Sequence, residues 1–273
     1  MENQEANWEL ITKLNKDLRD GARLLSRGEA RYLVDLYYQV QDTRKRAASQ
    51  GRTQDEAEEP HALVTWLFDQ FHTLENDVKK ALDSYSKSKA PGVWAQSIHG
   101  IGPVIAAGLL AHVDPQRAET AGAVWRFAGL DPTVTWGKGE KRPWNARLKR
   151  LCWIIGDSFV KHRNSDKDVY GKVYEERKAL EVERNESGQF AEQAAQSLAS
   201  KKVRDADLKA TLESGKLPDG RIDLRARRYA VKLFLSHYHH VIYEDFFEKE
   251  PPRPYIIEHG GHTHFVAPPN WPI

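Results

Sequence analysis

The sequence predicts an all-α protein: a helical bundle with a central helix-hairpin-helix module and an irregular C-terminal tail. Three observations predict it. Apolar residues recur at helical spacing, as at Leu33, Leu36, Tyr37 and Val40. Nothing before residue 90 resembles a run of β-strands. The stretch Ser97–Leu110 reads as a helix, a tight turn on Gly100-Ile101-Gly102, and a second helix.

That turn organises the chain. Gly100 and Gly102 are expected to supply backbone freedom and to leave no Cβ between the amides and an approaching group. Pro103 suits the first position of the next helix, where its missing N–H costs nothing. Ala106 and Gly108 are small, so the second helix can lie close to the first. Turn amides next to a helix N-terminus make a compact anion site. The pattern fits a grip on a nucleic-acid phosphate backbone through Gly100, Ile101 and Gly102, without base reading. The alternative is a helix–helix turn with no ligand.

Composition bounds the rest. The chain has 273 residues, enough for one large domain or two small ones. Charged residues make up 29% and hydrophobic ones 40%, with eight Trp, so a soluble protein with a real core is expected. No run of eighteen apolar residues occurs, so no membrane span is expected. Met1-Glu2-Asn3-Gln4-Glu5 is acidic and polar, unlike a signal peptide. Cys152 is the single cysteine, which excludes an intrachain disulfide and fits a cytoplasmic location. The net charge of +2 hides a segregated pattern. Arg126, Lys138, Lys141, Arg142, Arg147, Lys149, Arg150, Lys161 and Arg163 face only Asp131, Glu140 and Asp157 in their interval.

The elements follow in order. Residues 3–26 are predicted helical, with Ile11, Leu14 and Leu18 on one stripe. Residues 28–48 form a second helix, whose tail Arg44-Lys45-Arg46 suits the negative end of its dipole. Ser49–Pro60 is polar and acidic and reads as a loop. Pro60 opens a long helix to about Ser88. Its Leu63, Leu67, Phe71, Leu74, Val78 and Ala81 fit a bundle core or the seam of a homo-oligomer. Lys87–Gly92 reads as a linker. After the hairpin, residues 117–128 form a short helix, followed by a Gly- and Lys-rich loop, Thr135–Trp144. From Pro143 to His162 an amphipathic helix turns Leu148, Leu151, Ile155 and Phe159 inward and Arg147, Lys149 and Arg150 outward. Residues 166–186 form a charged helix, solvent-facing on most sides, with Asp166 as its cap. Residues 187–220 hold weak helices. Helix 221–243 buries Val231, Phe234, Leu235 and Tyr238. Its Arg225, Arg227 and Arg228 oppose the helix dipole, so a buried acid or a phosphate is expected beside them. The tail from Pro251 is irregular and wraps over the core.

Ser97–Val113 followed by Trp125–Pro132 resembles the C-terminal transposase domain of the insertion-sequence-110/116/902 family. The shared features are the Gly-Ile-Gly-Pro turn, an Ala-rich helix, and the Phe127-Ala128-Gly129-Leu130-Asp131-Pro132 element at close to the family's distance. Ala146–Leu151 resembles the Arg/Leu-rich helix that follows in that family. The match runs from Ser97 to about His162. The resemblance implies a DNA partner and a role in DNA recombination by mobile elements. Two departures bear on the chemistry. Such transposases carry an N-terminal nuclease domain with acidic residues on a β-sheet, whereas residues 1–92 here read as helices. Asp35, Asp42 and Glu75 read as solvated helical carboxylates. The family's serine after Gly-Leu-x-Pro is missing between Gly129 and Arg150, where Thr133 and Thr135 are the only hydroxyls. Thr135 is the one candidate nucleophile, and it lacks an evident base. Mg²⁺ enters only if the chain is catalytic.

Other constellations are weaker. His259, His262 and His264 could bind zinc, or simply hydrogen-bond in a Gly-rich tail and titrate near neutrality. Trp136 and Trp144 flank the basic loop and fit either stacking on unpaired bases or pinning of the loop. Asp157, His162, Asp166 and Asp168 collect a cation only if the helix end folds back. The expected organisation is antiparallel helices over 1–90, a transposase-like DNA-binding domain over 91–165, and a helical region with a Pro/His-rich tail over 166–273. The expected function is sequence-tolerant DNA binding through Gly100, Ile101, Gly102, Lys138, Lys141, Arg142, Arg147, Lys149 and Arg150. An active transposase or nuclease and a protein-interaction scaffold are the alternatives. An RNA partner is left open by the residues.

Overall fold

Capping side chains set where several helices begin. In the computed structural model, Asn15 accepts from the Leu18 N–H and opens α1 (Lys16–Gly21). Thr120 opens α6 (Ala121–Phe127), Asn145 opens α7 (Ala146–His162) and Asp205 opens α10 (Ala206–Glu213). Asp168, not Asp166, opens α8 (Val169–Glu186), its Oδ1 accepting from the Gly171 N–H at 2.9 Å. The remaining helices are α2 (Arg27–Gln54), α3 (Ala62–Lys87), α4 (Ala90–Ser97), α5 (Pro103–His112), α9 (Ala191–Ser200) and α11 (Asp219–Phe247). A 3₁₀ turn, Ala22–Leu24, follows α1. The structure describes residues 13–54, 62–200, 203–253 and 265–272, and among these no strand occurs. The all-α expectation holds.

The chain divides into two compact units. One comprises Met1–Val93 and Gly102–Asp114, the other Trp94–Ile101 and Pro115–Ile273.

In the first unit α5 is the central element. Every residue from Val104 to His112 is buried, as a helix apolar all round must be. Val104, Ala107, Leu110 and Ala111 pack against Ala30, Val34 and Tyr37 of α2 and Val78, Leu82 and Tyr85 of α3. Each large apolar side chain so buried contributes about 1.5–3 kcal/mol. Four expectations need correction here. The predicted helix over 3–26 is short where described, because Asn15 starts it and the 3₁₀ turn ends it. Leu18 on it is 65% exposed, and Ile11 lies outside the described residues. Helix α2 runs on to Gln54, so Arg44–Arg46 are not its tail. Arg44 instead pairs with Glu75, a buried carboxylate rather than a solvated one. Burial pushes Glu75 up, but hydrogen bonds from Arg44 and Gln41 outweigh it and hold its pKa below the usual carboxylate value. Finally, Lys87–Gly92 is not an extended linker, since α4 already begins at Ala90. A Cβ on Gly92 would sit 2.0 Å from the Ser86 carbonyl oxygen, so glycine there serves close packing.

In the second unit α11 is central. Ile222, Ala226, Ala230, Val231, Phe234, Leu235, Tyr238, Val241 and Ile242 are buried along it, and α6, α7 and α8 pack on it. Phe159 of α7 and Tyr170 of α8 stack at 4.9 Å, and both rings meet Phe234 edge-on. Trp94 stacks on Phe234 at 5.7 Å and donates its indole N–H to the Pro269 carbonyl at 2.7 Å. Trp271 donates to Glu244, and the Val266 carbonyl meets His237 Nε2, so residues 265–272 lie fastened on this core. Phe190, Ala194, Leu212, Leu217 and Ile222 form a satellite cluster from α9, α10, α11 and the residues that lead into α9 and α11. Helix α8 faces solvent on most sides, as expected, but it buries one stripe, Tyr170, Gly171, Tyr174, Glu181 and Asn185, because it lies along α11. No described helix is long and apolar enough to cross a membrane.

Candidate functional site

The Gly-Ile-Gly turn is shaped by its first glycine. Gly100 has φ +86°, a left-handed conformation that favours glycine. The Ile101 N–H donates to the Ile98 carbonyl at 3.0 Å and closes the turn, while both isoleucine side chains are buried. The Ser158 hydroxyl of α7 donates to the Gly100 carbonyl at 2.6 Å. A Cβ on Gly100 would lie 3.0 Å from Ser158 Oγ and 3.1 Å from His162 Nδ1. The rings of His99 and His162 meet edge-on at 5.0 Å. Gly102 is different. Its φ of −94° and ψ of 177° suit any residue, and a Cβ there meets nothing within 4 Å. The expected need for backbone freedom therefore holds at Gly100 and not at Gly102. Among the described residues no acceptor takes the N–H of Gly100 or Gly102, whereas the Ile101 N–H is spent within the turn.

Helix α7 carries the basic residues and the serine that holds the turn. Asn145 caps it, accepting from the N–H groups of Arg147 and Leu148, both at 3.0 Å. Leu148, Leu151, Ile155 and Phe159 are buried as the periodicity predicts, and Arg147, Lys149 and Arg150 are exposed. At about 3.6 residues per turn, Arg147, Arg150, Ile154 and Ser158 share one stripe. Arg150 then lies ~12 Å along the axis from Ser158, at about 1.5 Å per residue. Lys149 points elsewhere, with its ammonium over the Trp144 ring at 4.1 Å. Burial, then the nearby Arg228 and Arg142, lowers the Lys149 pKa.

The loop before α7 is folded rather than open. Trp136 donates its indole N–H to the Glu140 carbonyl, and the Glu140 carboxylate accepts from the Gly137 N–H, each at 2.8 Å. Arg142 lies over the Trp136 ring at 5.3 Å, and Trp136 meets Trp144 edge-on at 5.9 Å. Trp144 also covers Gly129, whose added Cβ would lie 2.8 Å from the indole. Both tryptophans thus pin the loop, while Trp136 keeps 42% exposure. Lys138, Lys141 and Arg142 are exposed. Thr135 is exposed, and no described carboxylate or imidazole bonds to its hydroxyl. Asp131 accepts from the amide and hydroxyl of Thr133, which lower its pKa.

The Gly129-Leu130 step closes α6. The Gly129 N–H donates to the Arg126 carbonyl and the Leu130 N–H to the Trp125 carbonyl, the paired bonds of a left-handed helix stop with Gly129 at φ +67°. Its glycine is therefore explained by the backbone alone. Asp157 is engaged by Lys161 and Arg227. His162 donates its Nδ1–H to the Ser158 carbonyl at 2.8 Å. His259, His262 and His264 lie outside the described residues. Sequence reasoning did not single out Ser158. Its contact with Gly100 spans 58 residues, and a serine inside an amphipathic helix carries no local signal of such a role.

No curated protein and no solved structure matches the chain. Residues 94–166 match the family model described as Transposase IS116/IS110/IS902 family, and it is over that segment, the turn through α7, that the chain is similar to those transposases.

Proposed function

We propose that this chain binds DNA by its phosphate backbone, independently of sequence, as a relative of insertion-sequence transposases with no nuclease sheet among its described residues. One observation carries the reading: Arg147 and Arg150 lie on the same stripe of α7 as Ser158, which grips the Gly100 carbonyl. Exposed cations thereby lie on the face of α7 that holds the turn. Phosphates along one strand are spaced so that ~12 Å of helix spans several of them. Gly102 adds support, since the fold does not require a glycine there and a bulky side chain would crowd its amide. Lys138, Lys141 and Arg142 extend the positive surface from the loop. Lys149, stacked on Trp144, holds that loop in place. Described residues before 94 form helices instead of the β-sheet on which those transposases carry their acidic residues.

The test is fluorescence anisotropy on a labelled duplex across a series of salt concentrations. Affinity is expected to fall steeply with salt, with a slope of about −0.9 per phosphate contacted. Replacing Arg147 and Arg150 together with Gln is expected to flatten the slope by about 1.8. Gly102→Val is expected to fold normally and bind more weakly. Salt-independent binding, or none at low salt, sinks the proposal. Added Mg²⁺ is expected to leave the duplex uncut, and Mg²⁺-dependent nicking replaces this reading with the catalytic one.

A further inference from the structure

Helix α11 carries four arginines in its first three turns, Arg221, Arg225, Arg227 and Arg228, of which Arg221 lies in the first turn, where cations are disfavoured. Acids account for two of them. Arg225 Nε donates to Glu181 at 2.6 Å, and Arg227 reaches Asp223 at 2.6 Å and Asp157 at 3.2 Å. No described carboxylate pairs with Arg221 or Arg228. Arg221 donates to the Ser197 hydroxyl at 2.6 Å, and Arg228 Nε to the Leu224 carbonyl of its own helix at 3.1 Å. Both line a cleft of about 550 Å³ between α9 and α11, with Gln193, Gln196 and Arg225. The cleft is far larger than one water and has the size of a small-ligand site.

Arg221 and Arg228 are both exposed, yet partial desolvation, then Arg225 and Arg221, oppose the charge of Arg228. Arg228 in turn acts on Lys149 and Lys232, each already disfavoured by burial. A row of cations therefore runs from the loop side of α7 to the α9/α11 cleft. Exposed guanidiniums with no described carboxylate on them, beside further cations in a cleft, make a positive local field that attracts an anion.

We propose that the α9/α11 cleft is a phosphate site, in which the guanidinium forks of Arg221 and Arg228 take phosphate oxygens and the Gln193 amide, its oxygen accepting from Arg225, donates beside them, while the Gln196 amide is held by Glu192. Guanidinium forks match phosphate in the two-pronged geometry that a lone ammonium lacks. The phosphate is a backbone phosphodiester of the nucleic acid bound at α7, because the cation row leads there. That source rests on the proposed function, whereas the cleft's chemistry does not.

The variant to test is Arg221→Gln with Arg228→Gln in the full chain, keeping Arg225 because it holds Glu181. Losing a repelled cation is expected to leave the thermal midpoint unchanged or raised. Two readouts follow. Inorganic phosphate is expected to raise the midpoint of the parent chain more than chloride at equal ionic strength, and not that of the variant. The salt slope for duplex binding is expected to flatten by about 1.8 in the variant. A flattened slope assigns the cleft to backbone phosphate. A phosphate-dependent midpoint with an unchanged slope assigns it to a free phosphate-bearing ligand, and the absence of both effects overturns the site. If the parent chain binds no duplex, the proposed function fails while the phosphate arm still decides the cleft. Should the Gln pair fail to fold, Arg221→Lys with Arg228→Lys keeps charge without the fork. It is expected to lose the preference for phosphate over chloride, and full retention counts against the site.

Discussion

At the residue scale, three glycines that look alike in sequence answer to different physics. Gly129 is held at φ +67° with Trp144 against its α-carbon, so Gly129→Ala meets both backbone strain and a clash. A loss of roughly 1–3 kcal/mol is expected in urea unfolding. Gly92→Ala drives a Cβ into the Ser86 carbonyl and is expected to cost at least as much. Gly102→Ala is expected to leave stability within about 0.5 kcal/mol, since its backbone is ordinary and the space is open. A titratable residue supplies a second residue-scale expectation. His237 is buried, with Nδ1 2.7 Å from the Tyr170 hydroxyl and Nε2 2.9 Å from the Val266 carbonyl. A neutral ring that donates from Nε2 and accepts the tyrosine proton at Nδ1 satisfies both. Burial pushes its pKa from 6.5 down to about 4, against the pull of the Val266 carbonyl. The unfolded chain then binds a proton that the folded chain refuses, so stability falls as pH drops from 6.5 towards 4. About 2 kcal/mol is expected to vanish between pH 7 and pH 5. His237→Gln is expected to flatten that interval in denaturation curves taken at each pH. His239, also lowered by burial, leaves a smaller residual slope.

At the element scale, the helices most readable from sequence are those whose buried faces are purely apolar. Leu148, Leu151, Ile155 and Phe159 announce the inner face of α7, and the structure buries all four. Helix α8 could not be read this way, because its buried stripe is made of Tyr170, Tyr174, Glu181 and Asn185. Glu181 is 1% exposed and meets Arg225, Arg184 and Arg177. Burial raises its pKa, but Arg225 and Arg177 more than offset this and the net shift is downward. A carboxylate at a core position looks like a surface residue until its partners on another helix are known. Glu181→Gln removes the charge while leaving the cations part-buried, and is expected to cost about 3–5 kcal/mol. A double-mutant cycle with Arg225→Gln checks the mechanism, because the second substitution is expected to cost much less in the Glu181→Gln background. Additive losses would show that Glu181 acts through packing alone. The same misreading explains the arginines of α11. Asp223 lies four residues before Arg227 on the same helix and was within reach of the sequence, while the assignment of Glu181 to Arg225 and of Asp157 to Arg227 required the packing of α8 and α7 on α11.

At the scale of the whole molecule, the turn singled out in the sequence is where the chain passes between units. Residues 94–101 belong with Pro115–Ile273, and Gly102–Asp114 belong with the N-terminal helices. Local patterning finds the turn but not this exchange, because the deciding contacts lie far apart in sequence. Trp94 is fully buried against Phe234 and Tyr238, and its indole N–H is satisfied by Pro269, 175 residues away. Asn270 bonds to the Ser97 carbonyl and hydroxyl across a similar separation. A single cut at Pro115 therefore deprives the second unit of one of its largest core side chains. A chain of residues 115–273 is expected to unfold at lower denaturant than the intact protein and to lose tertiary near-ultraviolet signal before helicity. Trp94→Ala in the intact chain isolates the ring's share, with an expected loss of about 3–5 kcal/mol. Trp94→Phe keeps the stacking partner and gives up the Pro269 bond, so it is expected to cost less than the alanine variant. Equal stability of the 115–273 fragment and the intact chain would mean that residues 94–101 contribute nothing to the core they occupy, and would detach the turn from the helix that holds it.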